Sequence, residues 1–122
     1  AMIKQLKIKE ALENYSKCLK LLEEVEDIQE YLAILQNQCV CYQKIDKFDD
    51  VLSTCIRILK LVNRIESKVL EFGGKKDTPT IDKDELKKIS VRTLVRRANA
   101  YIKTSQYYNA KSDLEKAYEI SP

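Results

Sequence analysis

The side chains of this 122-residue chain with the clearest chemistry are two arginines, Arg92 and Arg96, and four cysteines. A spacing of four puts both guanidinium groups on one face of a helix. Such a pair attracts carboxylates, and an arginine fork binds them in two-bond geometry. The cysteines do not form a metal set. Cys39 and Cys41 are two apart, Cys18 and Cys55 lie far off, there is no CxxC pair, and the chain has no histidine. Asp49–Asp50 and Asp82/Asp84 are the paired carboxylates. They fall at helix starts or in loops and read as capping and solvation, not as an acid/base pair. With no histidine and no Gly-rich phosphate loop, the chain reads as non-enzymatic, with no metal and no cofactor.

The elements that must position these groups are helical. Charged residues make up 34% of the chain, and it has only 2 Gly and 2 Pro. That balance favours an all-α fold built as one domain over residues 1–122. No apolar run reaches membrane-span length. The formal net charge of +3 comes from interspersed signs. It gives no continuous basic stripe with stacking aromatics, so neither nucleic acid nor membrane is an expected partner.

The chain repeats itself. Shifted by 59 positions, Leu35 falls on Leu94, Cys39 on Ala98, Tyr42 on Tyr101 and Lys44 on Lys103. Further on, Phe48 falls on Tyr107, Val51 on Ala110 and Ile58 on Ala117. A small residue lets two helices approach, a tyrosine one turn later fills the gap, and a second small or β-branched residue marks the crossing. Each unit exposes an apolar face that the next must cover, so the units stack. In that register Cys18, Cys39 and Cys55 occupy positions that want small or medium apolar groups. They read as buried, reduced thiols of a cytosolic, cytoplasmic protein.

The segment VRTLVRRANAYIKTSQYYNAKSDLEKAYEISP carries a series, Ala98, Tyr101, Tyr107, Ala110, Leu114, Ala117 and Pro122, that resembles the tetratricopeptide repeat (TPR). Leu35 and Leu94 stand where that family often has tryptophan. The resemblance implies an α-solenoid of helix–turn–helix pairs. It extends to co-chaperone TPR domains, and most closely to the C-terminal domain of CS-domain dynein axonemal assembly factors. In co-chaperones of this kind, a carboxylate clamp on the concave face holds the Glu-Glu-Val-Asp tail of seventy- or ninety-kilodalton heat-shock chaperones. Carried over position by position, the clamp would use Asn37, Arg92 and Arg96, with Lys44, Asn99 and Lys103 as auxiliary groove residues. The first-repeat members of the clamp would lie before Ala1. The implied role is an adaptor between chaperones and dynein client proteins.

Along the chain, residues 1–26 read as a partial first repeat. Ile8, Ala11, Tyr15 and Cys18 match Phe48, Val51, Cys55 and Ile58 at a shift of 40. A helix is expected over 3–26, with room for a turn near Leu6–Lys7. Asp27 and Glu30 offer a capping box for the next helix, which ends near Lys44. The second repeat spans 32–72, with a long helix over 48–71 that Gly73 and Gly74 stop. Residues 73–81 read as a surface loop. The third repeat spans 82–122, with Asp82 and Glu85 starting its first helix, Gln106–Tyr107 making its turn and residues 108–120 forming its last helix. Roughly 25 residues beyond a standard repeat spacing separate the second and third units. They are expected to lengthen the flanking helices into an elongated pair; a disordered insertion is the alternative.

TPR arrays usually end in a helix that covers the last apolar face; here that helix either lies beyond residue 122 or the face pairs with something else. A second reading therefore stands beside the clamp. In it the domain is a structural scaffold that docks a partner, or a second copy, through its long helices and open end.

Overall fold

The computed structural model describes residues 2–25, 28–71 and 82–122. It is all-α. Helices α1 (Met2–Val25), α2 (Ile28–Lys44), α3 (Phe48–Glu71), α4 (Lys83–Lys103) and α5 (Tyr107–Ile120) each pack on the next in chain order. The expected helix over 48–71 has those bounds. Helix α1 runs straight through Leu6–Lys7 with no turn. Nothing in that stretch breaks a helix, since Gly and Pro are absent and lysine, leucine and glutamine are strong helix formers. The caps expected from Asp27, Gly73 and Gly74, and the loop 73–81, lie outside the described residues.

Helix ends follow local chemistry. The Asp82 side chain accepts a 3.2 Å hydrogen bond from the Asp84 amide, capping α4 as expected. Asp49 and Asp50 lie in the first turn of α3, and Asp84 and Glu85 in that of α4, where negative charge opposes the helix dipole favourably.

The two short turns are copies of each other. Lys47 N–H donates to the Tyr42 carbonyl (3.0 Å) and Asp46 N–H to that of Gln43 (3.2 Å). Shifted by 59 residues, the same bonds recur: Gln106 N–H donates to the Tyr101 carbonyl (2.7 Å) and Ser105 N–H to that of Ile102 (3.1 Å). Asp46 (φ 57°) and Ser105 (φ 62°) are the left-handed residues of these turns. This is the Schellman helix ending, in which a left-handed residue lets two amides reach back to the last turn. The sequence repeat is thus a repeat of backbone geometry.

The main core joins Leu19 of α1, Leu32, Leu35 and Cys39 of α2, Val51, Cys55, Ile58, Val62 and Ile65 of α3, and Leu86, Ile89 and Ala100 of α4. Val62 and Ile65 lie toward the end of α3, and Leu86 and Ile89 near the start of α4. The added turns of both helices are therefore packed rather than solvated. Towards α5 the buried side chains shrink to Ala98, Ala110 and Ala117, which lets the last two helices approach closely.

Candidate functional site

On α4, Arg92, Arg96, Asn99 and Lys103 fall at intervals of four, three and four and share one stripe. Arg92, Asn99 and Lys103 are exposed, and Arg96 is half-buried. Glu85, two turns before Arg92, places a carboxylate oxygen 3.5 Å from its guanidinium. Arg96 differs from its neighbours. Its Nη1 is buried with no hydrogen-bond partner. Its charge acts on Cys39 of α2 and, after that of Arg97, on Cys55 of α3. Asn37 and Lys44 lie seven apart on α2 and are both exposed. The 59-residue shift gives Asn37 the position of Arg96 and Lys44 that of Lys103. No hydrogen bond joins Asn37 to Arg96.

Arg97, adjacent to Arg96, has a different task. Its Nε donates to Asp113 Oδ2 (2.7 Å) and its Nη2 to Oδ1 (2.6 Å). The fork ties α4 to α5, and Asp113 is buried. The hydrogen bond to Asp113 raises the guanidinium above its ordinary pKa, against a burial that lowers it. The guanidinium carbon also lies 5.7 Å from the centre of the Tyr101 ring, within cation–π range. Sequence reading took Arg97 only as local basicity. At the 59-residue shift, Arg97 and Asp113 fall on Gln38 and Thr54, polar side chains that the structure shows to be buried, so both repeats keep polar groups at these two positions.

The thiols divide. Cys39 and Cys55 are fully buried with their sulfurs 3.5 Å apart across α2 and α3. The hydrogen bond with Cys39, then burial, pushes the Cys55 thiol far up. Burial likewise raises Cys41, opposed by Lys44. Cys18, expected to be buried, is exposed. The packed side of α1 carries Ala11, Tyr15 and Leu19, spaced by four, and Cys18 is rotated off that strip. Among the described residues, no group of three or more His, Cys, Asp or Glu side chains could hold a metal ion, and no helix is long and apolar enough to cross a membrane.

A second surface feature lies on α5. Ile102, Tyr107, Leu114 and Tyr118 form a groove of about 610 Å³ edged by Lys111 and Glu115. All four apolar side chains are substantially exposed, Tyr107 and Tyr118 by more than half.

Residues 91–122, the C-terminal part of α4 with its turn and α5, match the tetratricopeptide repeat family. No curated protein and no solved structure matches the chain. A tetratricopeptide repeat within an all-helical structure is a protein–protein interaction motif, and its partners are proteins.

Proposed function

We propose that this chain is a non-enzymatic, cytoplasmic adaptor of the co-chaperone type that binds acidic C-terminal peptides along the α4 stripe. The repeats would divide as 1–26, 32–72 and 82–122. The ligand class is a tail such as Glu-Glu-Val-Asp with a free carboxylate, as carried by the heat-shock chaperones. Delivery of dynein clients is the cellular role that the resemblance of the sequence favours.

The observation that carries this reading is the buried, unpartnered Nη1 of Arg96. A guanidinium donor without an acceptor is costly in a protein interior. A carboxylate at the α4 surface would supply the missing acceptor, and the half-buried side chain would swing outward to take it. Arg92, one turn away, would share the charge. Anisotropy of a labelled Glu-Glu-Val-Asp peptide, against the same peptide amidated at its C-terminus, tests the reading. Binding that is lost on amidation and falls at least about tenfold in Arg96→Ala supports it. Equal binding of both peptides, or none of either, overturns it.

The exposed groove on α5 favours a second reading, in which the chain is a scaffold that docks another protein through that face. Contiguous exposed apolar side chains edged by charge are a common mark of such surfaces.

A further inference from the structure

We infer that the α5 groove is the seat of a second copy of this chain, joined α5 to α5 in antiparallel fashion about a two-fold axis. The inference rests on the second reading above, docking through α5, and is independent of the α4 stripe.

The repeat shows what packs on the equivalent face of α3. At the 59-residue shift, Tyr107, Ala110, Leu114 and Tyr118 correspond to Phe48, Val51, Cys55 and Leu59 of α3. There Val51 and Cys55 are fully buried, because α3 packs on both α2 and α4. Helix α5 packs on α4, and Leu114 stays exposed. The position therefore suits a helix laid along α5.

The charges select which helix and in which direction. Lys111, Glu115 and Glu119 all border the groove, one positive charge followed by two negative ones at intervals of four. A parallel copy would set like charges against like. An antiparallel copy centred near residue 113 sets Lys111 beside the second copy's Glu115, and the reciprocal contact follows from symmetry. The same register brings Tyr107 near the second copy's Tyr118, with Leu114 close to the axis. Tyrosine-rich apolar contact with complementary charges at its border is the usual anatomy of a protein interface. The internal Lys111–Glu115 pair is only 3.9 Å, long and exposed, so exchanging it for an intermolecular one costs little.

Sedimentation equilibrium of the full chain over micromolar to submillimolar concentrations tests this. A species of twice the 14.2 kDa chain mass is expected. Leu114→Glu, at a partly exposed position, should abolish it. Lys111→Glu and the double variant Glu115→Lys/Glu119→Lys should each weaken self-association at least tenfold, and an equimolar mixture of the two should restore it as a heterodimer. A chain that stays monomeric throughout overturns the inference while leaving a different docked protein open. A dimer that survives Leu114→Glu, or charge variants whose mixture gains nothing, also overturns it. Circular dichroism of each variant separates loss of association from loss of fold.

Discussion

Arg97 and Asp113 hold α4 and α5 together through two parallel hydrogen bonds of 2.7 and 2.6 Å, with the carboxylate sealed from solvent. A buried pair of this kind is strong evidence of what breaks when one partner goes, and weak evidence of net stability. Arg97→Ala would leave Asp113 charged, buried and unpaired. It should cost about 3–5 kcal/mol in urea unfolding, whereas Arg97→Met with Asp113→Leu should recover most of that loss. Equal losses in the single and double variants would show that packing, not the ion pair, dominates at this junction.

Two turns are closed by left-handed residues that are not glycine, Asp46 and Ser105. That conformation costs an L-residue about 1–2 kcal/mol, less for Asp, whose short side chain bonds locally. Ser105→Gly should therefore stabilise the chain by about 0.5–1 kcal/mol after the entropy of the unfolded glycine is counted, and Asp46→Gly by less. Ser105→Val should destabilise it, because a β-branched side chain tolerates this region poorly. Thermal unfolding of the three variants reads the order directly.

These features mark how far the sequence could be read. Helix positions followed from apolar spacing and from capping residues, which act locally, so the start of α3 and the Asp82 cap were legible. The 59-residue shift aligns the two turns, but the expected second turn at Gln106–Tyr107 is instead at Thr104–Gln106 and α5 already starts at Tyr107. The handedness of the turns was not legible, because Ile45–Asp46–Lys47 and Thr104–Ser105–Gln106 contain no glycine to announce it. Arg96 and Arg97 looked alike as neighbours in a basic run. A rotation of about 100° per residue separates them, giving Arg97 the fork to Asp113 of α5 and leaving the Arg96 Nη1 buried without a partner. Cys18 failed for a related reason, since register alone does not say which face of α1 is covered. How the α2 and α4 residues of the candidate clamp sit toward a ligand depends on helix–helix geometry, which no spacing within one helix encodes.

The buried thiols predict an alkaline limit. The Cys55 thiol, with an ordinary value of 9.0, is raised in the folded chain by its bond to Cys39 and by burial, while the same bond lowers Cys39, so the buried pair holds on to one of its two protons. Above pH 9 the unfolded chain therefore gives up a proton that the folded chain keeps. Above that pH stability falls as pH rises, by about 1.4 kcal/mol per pH unit for the one proton that the folded pair retains. Urea unfolding between pH 8 and pH 10.5 should show that slope, and Cys55→Ala should reduce it even if its stability at pH 8 is lower. In a thiol-reagent titration of the native chain, Cys18 should react first and Cys39 and Cys55 only on unfolding.

The Arg92–Glu85 contact bears on ligand binding in a direction of its own. Its carboxylate lies 3.5 Å from the guanidinium that an acidic tail would need, and both side chains are about half exposed. An exposed pair is worth at most about 1 kcal/mol, so a tail can displace Glu85 but must compete with it. Glu85→Gln removes the competitor and one negative charge from the stripe. It should tighten Glu-Glu-Val-Asp binding by up to about fivefold, with the effect shrinking as salt rises and the exposed charges are screened. Arg92→Ala should weaken binding and abolish the benefit of Glu85→Gln in the double variant. If Glu85→Gln still helps without Arg92, the carboxylate acts on the ligand through general repulsion rather than by occupying this arginine. Anisotropy at two salt concentrations across the four proteins distinguishes the cases.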